Sequence, residues 1–327
     1  MSRSPPSPSP RPPRPPRELP LLAGLRLKNA SIKDRNRVFN EHELFSFIHI
    51  SKAGGSTFIR WAHASRIFPR FHPEAETGDE EGYFYDRAAR STAQRLVLLR
   101  SPRAHVLSMF KECRYDAWGV KLWKSNQSQV PHEGTHQHDF ERWLDWYVHP
   151  LNKAWLGCYQ PWNYQARAMT SWSSSPHYIS AIETYEPSVD KALTSYLETD
   201  WVGITDFYDE SLCLLLSRFR TQAAAVLFSK SCQCANHSRP VLGTTKIATH
   251  GSVSSTDVDI HPVLAVKMDR VTVVDKVLFS VALRGFLSEI RSLEMRVGHR
   301  VLCAHVLQKA EPKLAYITNV TALYEIS

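Results

Sequence analysis

A short apolar run that passes through two glycines into a helical pattern constrains the fold of this chain more than any other feature. Residues 44–50 read Leu-Phe-Ser-Phe-Ile-His-Ile, a length and composition typical of a buried strand. Gly54 and Gly55 follow, and residues 56–67 have the spacing of a helix. A strand that leads directly into a helix is the repeating unit of parallel α/β sheets. We therefore predict an α/β domain.

The same alternation of apolar runs and helical patterns continues along the chain. Strands are predicted at residues 95–99, 178–182 and 201–204, and helices at residues 102–115, 209–220 and 274–297. Pro102 suits the first turn of a helix, and Gly298 is placed to end the last one. The pattern predicts a central parallel β-sheet flanked by helices.

Composition separates a terminal tail from the folded part. Nine of the first twenty residues are proline, which excludes a helix or a packed core there. We predict a disordered Pro/Arg-rich tail at residues 1–37 and a single domain at residues 38–327. The chain is 43% hydrophobic and 22% charged, as globular proteins are. No apolar run approaches the roughly 20 residues needed to span a bilayer.

Charge and cysteine content narrow the choice of partner and compartment. The formal net charge of +8 indicates an anionic partner but is too small for a protein that coats nucleic acid. Six cysteines are present without a Cys-x-x-Cys pair, so no zinc ribbon is expected. In an oxidising compartment, we expect Cys232 and Cys234 to form disulfides with Cys213, Cys303 or other cysteines. Buried free thiols are the alternative.

The loop after the first strand carries the residues of an anion-binding site. Lys52 precedes the glycine pair, and Ser56 and Thr57 follow it. A loop that opens a helix at a strand's carboxyl end presents free backbone N–H groups to an anion, and glycines allow it to approach closely. The loop of nucleotide triphosphatases has its lysine after the glycines, so the order here is different. The alternative is an ordinary turn with a solvated Lys52.

A second cationic element follows the next predicted strand. Arg100 lies at the strand end, and Ser108 lies about two turns into the following helix. The guanidinium fork suits a phosphate, to which a serine hydroxyl can add a contact. An arginine where magnesium enzymes need an acidic residue favours transfer of a group that requires no magnesium. A sulfuryl group meets this condition.

Together, these two segments resemble the carbohydrate sulfotransferases that use 3′-phosphoadenylyl sulfate (PAPS), most closely the heparan sulfate 2-O and 6-O type. The resemblance implies that Lys52 contacts the 5′-phosphosulfate and the leaving oxygen, and that Arg100 and Ser108 hold the 3′-phosphate. It implies a phosphosulfate cradle formed by the other loop residues, Ala53, Gly54, Gly55, Ser56 and Thr57. We accordingly predict a P-loop-like three-layer fold and no metal at the site.

Three weaker similarities extend the resemblance along the chain, and two departures limit it. Residues 163–167 look like the family's Asn-x-Gln-x-Arg helix segment, residues 201–205 like its Val-Gly strand, and residues 274–279 like its Asp-x-x-Leu-Tyr segment. Ser101 stands where the family usually has Asp, and His105 stands near a usual second Arg. The stretch between the two phosphate motifs is also short, about forty residues.

Transfer to a sugar hydroxyl requires a base, for which His is suited at neutral pH. In the family this base is commonly a His between the two phosphate motifs, where only His63 and His72 occur. His63 falls within the predicted first helix, so we prefer His72, which lies outside it. Glu74, Glu80 or Glu81 would serve if the base is a carboxylate. A surface histidine without a catalytic role is the alternative.

Two further groups of side chains could bind ligands. Residues 136–139, His-Gln-His-Asp, include metal-ligand types, although such side chains in a polar loop are more often simply exposed. Seven tryptophans cluster in the middle third, and one or more could stack on a sugar, although most tryptophans belong to cores. They are Trp118, Trp123, Trp143, Trp146, Trp155, Trp162 and Trp172.

The sequence as a whole predicts a PAPS-dependent sulfotransferase that modifies a hydroxyl of a carbohydrate acceptor. The positive charge suits an anionic polysaccharide, although a smaller sugar or a lipid-linked glycan would also fit. The family's carbohydrate enzymes lie in the Golgi lumen behind one N-terminal membrane anchor, and this sequence shows no such anchor. Two alternatives remain open: a P-loop kinase or nucleotidase, and a catalytically silent relative that binds a nucleotide or a glycan.

Overall fold

The computed structural model of the chain describes residues 37–40, 42–68, 71–73, 93–117, 119–121, 135–149, 158–170, 187–234 and 260–326. Within these ranges a small open sheet lies at the centre of the fold, with the strand order β2-β1-β3-β4. Its strands are β1 Phe45–Ile48, β2 Phe71–Pro73, β3 Gln94–Leu99 and β4 Trp201–Ile204. Neighbouring strands are all parallel, which confirms the predicted α/β class and the central parallel sheet.

Three predicted strands are confirmed as β1, β3 and β4. Each is a continuous apolar run that is buried along almost its whole length, as expected for a parallel sheet covered on both faces. The sequence does not predict β2, because three residues are too few to show a strand periodicity. The predicted strand at residues 178–182 lies outside the described residues.

Helices follow the strands and make up most of the described structure. The first six are α1 Gly55–Ser65, α2 Pro102–Tyr115, α3 His136–Val148, α4 Tyr164–Thr170, α5 Val189–Leu197 and α6 Tyr208–Leu216. They are followed by α7 Gln222–Ser231, α8 Pro262–Val271, α9 Val273–Val297, α10 Ala304–Leu314 and α11 Val320–Ile326. A short 3-10 turn, Thr205–Phe207, joins β4 to α6.

The four predicted helices are present, and their bounds agree with the sequence prediction except in α6, whereas the other helices are not predicted from the sequence. The predicted helix 102–115 is confirmed as α2, and α1 and α9 differ from their predicted bounds by two residues or fewer. The helix predicted to reach residue 220 ends at Leu216 instead. Beyond it, the backbone N–H groups of Arg218 and Phe219 donate to carbonyls three residues earlier, and the buried Arg218 side chain donates to the carbonyl of Asp200 at 2.6 Å and to Glu289 at 2.5 Å.

One hydrophobic cluster extends from Phe39 to Tyr324. Phe39 packs edge-on against Phe45 of β1, so the core includes a residue close to the predicted start of the domain. The long helix α9 contacts β4, α4, α5 and α6 along its apolar face and ends at Gly298, which has a φ of +75°. Only a residue that tolerates the left-handed region suits that position.

All six cysteines form disulfides. The pairs Cys213–Cys232 and Cys234–Cys303 confirm the partners expected from the sequence. The third pair, Cys113–Cys158, connects α2 to the segment before α4 and was not predicted. Three disulfides are typical of proteins of an oxidising, secretory compartment. No helix in the described part of the chain is both long and apolar enough to cross a membrane.

Candidate functional site

The Lys52 loop, residues 49–54, leaves the carboxyl end of β1 and opens α1. Lys52 has a φ of +65° and Gly54 a φ of +89°, so the backbone enters the left-handed region twice within three residues. That region is uncommon for a lysine and is maintained only where surrounding contacts enforce it. The loop therefore depends on its neighbours for its shape.

Four consecutive carbonyl groups of this loop, those of residues 51–54, each accept a hydrogen bond from a distant side chain. In that order, the donors are His105 Nε2, Arg100 Nη1, Thr205 Oγ1 and Tyr208 Oη, at 2.7, 2.9, 2.6 and 3.1 Å. The first two belong to the segment after β3, and the last two to the segment after β4. Carbonyl dipoles that would repel an anion are thus already bonded to protein donors.

Helix α1 adds its own N-terminus to this surface. Gly54 is the N-cap and offers no side-chain acceptor, and the first turn contains no acidic residue. The first N–H groups of such a helix lack intrahelical partners and favour a negative charge. Ser56 is half-buried and Thr57 is buried, so the serine hydroxyl is the more accessible of the two.

Protein packing requires both glycines. A Cβ at Gly55 would lie 1.9 Å from Cδ2 of the buried His49, and one at Gly54 would lie 2.8 Å from Cε2 of Tyr208. Contacts this short cannot be accommodated without movement of the backbone or of a ring. The glycine pair therefore has a reason in side-chain packing, which the sequence did not indicate, in addition to the ligand approach and the turn that the sequence suggested.

Lys52 pairs with a carboxylate that the sequence analysis missed. Its Nζ lies 2.5 Å from Oε2 of Glu112, and the two side chains are only 12% and 7% exposed. Glu112 lies on α2 four residues after Ser108, which places both on one helix face. This i to i+4 spacing is the one sequence signal that could have indicated the residue.

Arg100 joins the two predicted phosphate motifs. Its Nη1 donates to the carbonyl of Lys52 at 2.9 Å, so the arginine and the loop form one continuous surface. Burial lowers the pKa of Arg100, and the nearby carboxylate of Asp206 opposes this effect. An arginine starts from so high a pKa that its guanidinium remains charged, with further N–H groups to donate.

His105 lies on α2 and supports the Lys52 loop. It is fully buried, and burial lowers its pKa to about 3, helped by the charges of Arg100 and Lys52 and opposed by a bond to Ser51. The ring is therefore neutral, and Nε2 must carry the hydrogen that it donates to the Ser51 carbonyl. Ser108 follows three residues later, half-buried on the same face of α2.

The Asn-x-Gln-x-Arg segment, residues 163–167, leads into α4 and hydrogen-bonds to the backbone of Arg100. Gln165 Oε1 accepts from the backbone N of Arg100, and Gln165 Nε2 donates to its carbonyl, both at 2.8 Å. Asp275, from the third weakly similar segment, accepts from two N–H groups at the start of α4. Asn163 Oδ1 in turn accepts from the backbone N of Val274 at 2.8 Å. Of the three segments with weaker similarity, residues 201–205 contact the Lys52 loop through Thr205, residues 163–167 contact Arg100, and residues 274–279 contact residues 163–167.

Asp206 is a second residue that sequence reasoning did not identify. Its carboxylate accepts from both the backbone N and the hydroxyl of Ser101 at 2.9 Å. A carboxylate from the end of β4 thereby lies beside the end of β3, next to Arg100. Its signal is weak in the sequence, because more than a hundred residues separate the two partners.

The candidate bases are less well placed by the structure. The backbone of His72 lies in β2, opposite Ser46 of β1, where the sequence predicts no strand. His63 is exposed in the last turn of α1, eight residues or roughly 12 Å along the helix from its start. Glu74, Glu80 and Glu81 lie outside the described residues.

The possible metal site at residues 136–139 is not supported. These residues begin α3, whereas the sequence suggested a polar loop. Asp139 is buried and pairs with the guanidinium of Arg114, which commits its carboxylate. In the described ranges, no group of three or more His, Cys, Asp or Glu could hold a metal ion. Of the seven tryptophans, Trp143 is buried in the core, which accounts for it without a sugar.

Two cations and a helix N-terminus thus meet at the carboxyl edge of the sheet, where an anionic ligand could bind. Lys52 and Arg100 supply the cations, and Glu112 and Asp206 lie beside them. Comparison of the chain with protein-family models, with curated proteins and with solved structures finds no match. The function is therefore inferred from the geometry of this site.

Proposed function

We propose that the protein is a sulfotransferase that moves the sulfuryl group of PAPS to a hydroxyl of a carbohydrate. The observation that supports this most strongly is the 2.9 Å hydrogen bond from Arg100 Nη1 to the Lys52 carbonyl. It brings together two elements that would have to bind opposite ends of one nucleotide, although 48 residues separate them in the chain. A parallel sheet with a strand–loop–helix unit at β1 also supports a P-loop-like three-layer fold.

The residues present fit a ligand with two separate phosphate groups. Gly54 and Gly55 leave the loop without side chains that could block an anion, and the N–H groups of α1 open beside them. Lys52 places an ammonium at the same loop, and Arg100 and Ser108 provide donors one strand away. PAPS would supply an activated sulfuryl group at one end and a 3′-phosphate at the other.

Each residue has a distinct role in this proposal. Lys52 would stabilise negative charge on the leaving oxygen, a contribution that grows as charge develops and so accelerates the reaction. The N–H groups of α1 would orient the anionic end. Arg100 and Ser108 would recognise the 3′-phosphate, which ATP lacks, and so give nucleotide specificity.

His72 remains our proposal for the proton acceptor. Its strand β2 is parallel and adjacent to β1, whose carboxyl end carries the Lys52 loop. The matched control is His63, which is exposed at the far end of α1. We expect His72→Ala to lower turnover at least a hundredfold, as loss of a general base does, and His63→Ala to leave it unchanged. Equal effects of both variants would contradict the assignment.

The acceptor and the compartment are proposals of the same kind. A formal net charge of +8 favours an anionic polysaccharide as the acceptor. Three disulfides suit the lumen of the secretory pathway, and the family resemblance favours the Golgi.

Thermal denaturation with three nucleotides tests the nucleotide assignment. We expect adenosine 3′,5′-bisphosphate to raise the melting temperature more than AMP or magnesium-ATP does. Incubation with PAPS labelled in its sulfuryl group and a panel of glycans then tests transfer, which Lys52→Ala should abolish. Preference for magnesium-ATP would identify a P-loop kinase or nucleotidase instead, and nucleotide binding without transfer to any glycan would identify a silent relative.

A further inference from the structure

Glu112 is a buried carboxylate paired with Lys52, and it has no role in the function proposed above. Its Oε2 lies 2.5 Å from Lys52 Nζ, and its side chain is 7% exposed. A carboxylate is withdrawn from water at such a position only when a specific interaction compensates for its desolvation. The charge of Lys52 provides that interaction.

The backbone that carries Glu112 is held firmly on both sides of the pair. Cys113, the next residue, forms a disulfide with Cys158, and Arg114 forms a fully buried ion pair with Asp139. Earlier in the same helix, His105 is bonded to the Ser51 carbonyl. Glu112 can therefore hold the Lys52 ammonium at a defined place, which a solvent-exposed partner could not do.

Charge also gives Glu112 a second effect. Lys52 and Arg100 are two cations, and Glu112 and Asp206 are two carboxylates, so these four groups cancel formally. Attraction for an anion must then come largely from the N–H groups of α1 and from the N–H donors of the cations. A nearby negative charge opposes a bound phosphate, and this repulsion is strong where water is excluded.

We propose that Glu112 is a positioning residue that fixes Lys52 and, through its negative charge, limits how tightly the site holds the anionic nucleotide product. This inference rests on the proposed function, because it assigns Lys52 to the phosphosulfate end of the donor. A site that bound the anionic product with two uncompensated cations would release it slowly. Glu112 thus combines accurate placement of the lysine with release of adenosine 3′,5′-bisphosphate.

Two substitutions separate the effect of the negative charge of Glu112 from the effect of its side-chain length. Glu112→Gln removes the charge and keeps the length, so we expect the dissociation constant of adenosine 3′,5′-bisphosphate to fall about tenfold. Glu112→Asp keeps the charge but is one methylene shorter, so affinity should stay within about twofold of wild type. Both variants should lower kcat, because Lys52 loses its anchor, while the KM for the donor falls only in Glu112→Gln.

Glu198→Gln is the matched control, since it removes one carboxylate from an ion pair with Arg95 near the start of β3, at the opposite edge of the sheet. It should change neither the dissociation constant nor kcat. Unchanged nucleotide affinity in Glu112→Gln would overturn the proposal. A loss of kcat of more than a hundredfold with unchanged affinity would do so too, because Glu112 would then be the proton acceptor.

Inorganic pyrophosphate, titrated calorimetrically into the same variants, distinguishes failure of this inference from failure of the proposed function. Suppose that Glu112→Gln binds pyrophosphate more tightly than wild type does, and that neither protein binds adenosine 3′,5′-bisphosphate. This result would support the effect of Glu112 on anion binding and refute the proposed sulfotransferase function. If the wild type and Glu112→Gln bind neither ligand, both proposals are wrong.

Discussion

The site depends on Lys52, and contacts with other residues hold this lysine in its position. Its backbone is left-handed, its carbonyl accepts from Arg100, and its ammonium pairs with Glu112. An unusual φ of this kind costs roughly 1–3 kcal/mol and must be compensated by the surrounding contacts. Substitutions at those contacts should therefore affect ligand binding even where they do not touch a ligand.

Arg100→Ala is expected to weaken the binding of adenosine 3′,5′-bisphosphate by about 2–3 kcal/mol, the size of a charged hydrogen-bonded contact. AMP, which lacks the 3′-phosphate, should lose less affinity. Arg103→Ala is the control, because Arg103 is committed to Asp269 and stacks on Tyr316. Calorimetric titration of both variants decides the point, and equal losses for the two nucleotides would contradict a 3′-phosphate role.

Gly55→Ala should destabilise the protein by about 1–3 kcal/mol, as other overpacked substitutions do. The added methyl group would lie 1.9 Å from the ring of His49. At Gly298, which has a positive φ but nothing within 4 Å of the added atom, the same change tests backbone strain alone. Urea unfolding of both variants measures the difference. A smaller loss at Gly55 than at Gly298 would mean that the His49 ring moves aside freely.

At the scale of elements, the site depends on the junction between α4 and α9. Asp275 of α9 accepts from the first N–H groups of α4, and Gln165 of α4 brackets the backbone of Arg100. Asp275 is fully buried, and burial raises its pKa to about 7 despite those hydrogen bonds and the charge of Arg167. The junction that supports Arg100 therefore contains a carboxyl group that titrates near neutral pH.

This raised pKa predicts how stability changes with pH. Because the folded protein holds the proton more tightly than the unfolded chain, Asp275 favours folding at low pH, and that contribution is lost as pH rises towards 7. From pH 5.5 to 7, wild type should lose about 2 kcal/mol of unfolding free energy relative to Asp275→Asn. Urea unfolding at both pH values measures this difference.

Comparison with Asp275→Asn is necessary because His105 acts in the opposite sense. Its pKa is lowered to about 3, so acid favours the unfolded chain below about pH 6.5. That contribution is the same in both proteins and cancels in the difference. A constant difference between pH 5.5 and 7 would show that Asp275 is ionised throughout this range.

At the scale of the molecule, three disulfides connect elements that are distant in sequence, and only one of them adjoins the site. Cys113–Cys158 closes a separation of 45 residues beside Glu112, and Cys213–Cys232 closes one of 19 residues at α6 and α7. We expect removal of either pair by double Ser substitution to cost about 2–4 kcal/mol. Only removal of the first should also tighten the binding of adenosine 3′,5′-bisphosphate, because the negative charge of Glu112 is then held less closely beside the site. Equal nucleotide affinity in both variants would show that α2 keeps Glu112 in place without its disulfide.

Local sequence was sufficient for the elements that carry the site. The strands β1, β3 and β4 are apolar runs, and α2 begins at Pro102. Lys52 and the two glycines lie within four residues of one another, so their order is visible in the sequence. The length of an apolar run and the residues of a turn are local features, so both can be recognised in the sequence itself. The sequence does not predict β2, because this strand is only three residues long.

Tertiary structure alone decided which side chains surround Lys52. Glu112 lies 60 residues from it in the chain, and Tyr208 lies 154 residues from the Gly54 carbonyl to which it donates. Such partners meet because parallel strands bring their carboxyl ends to one edge of a sheet, whatever their distance in sequence. The residues that could bind an anion were thus visible in the sequence, whereas those that hold them in place, and set the charge around them, emerged only from the packing of the strands.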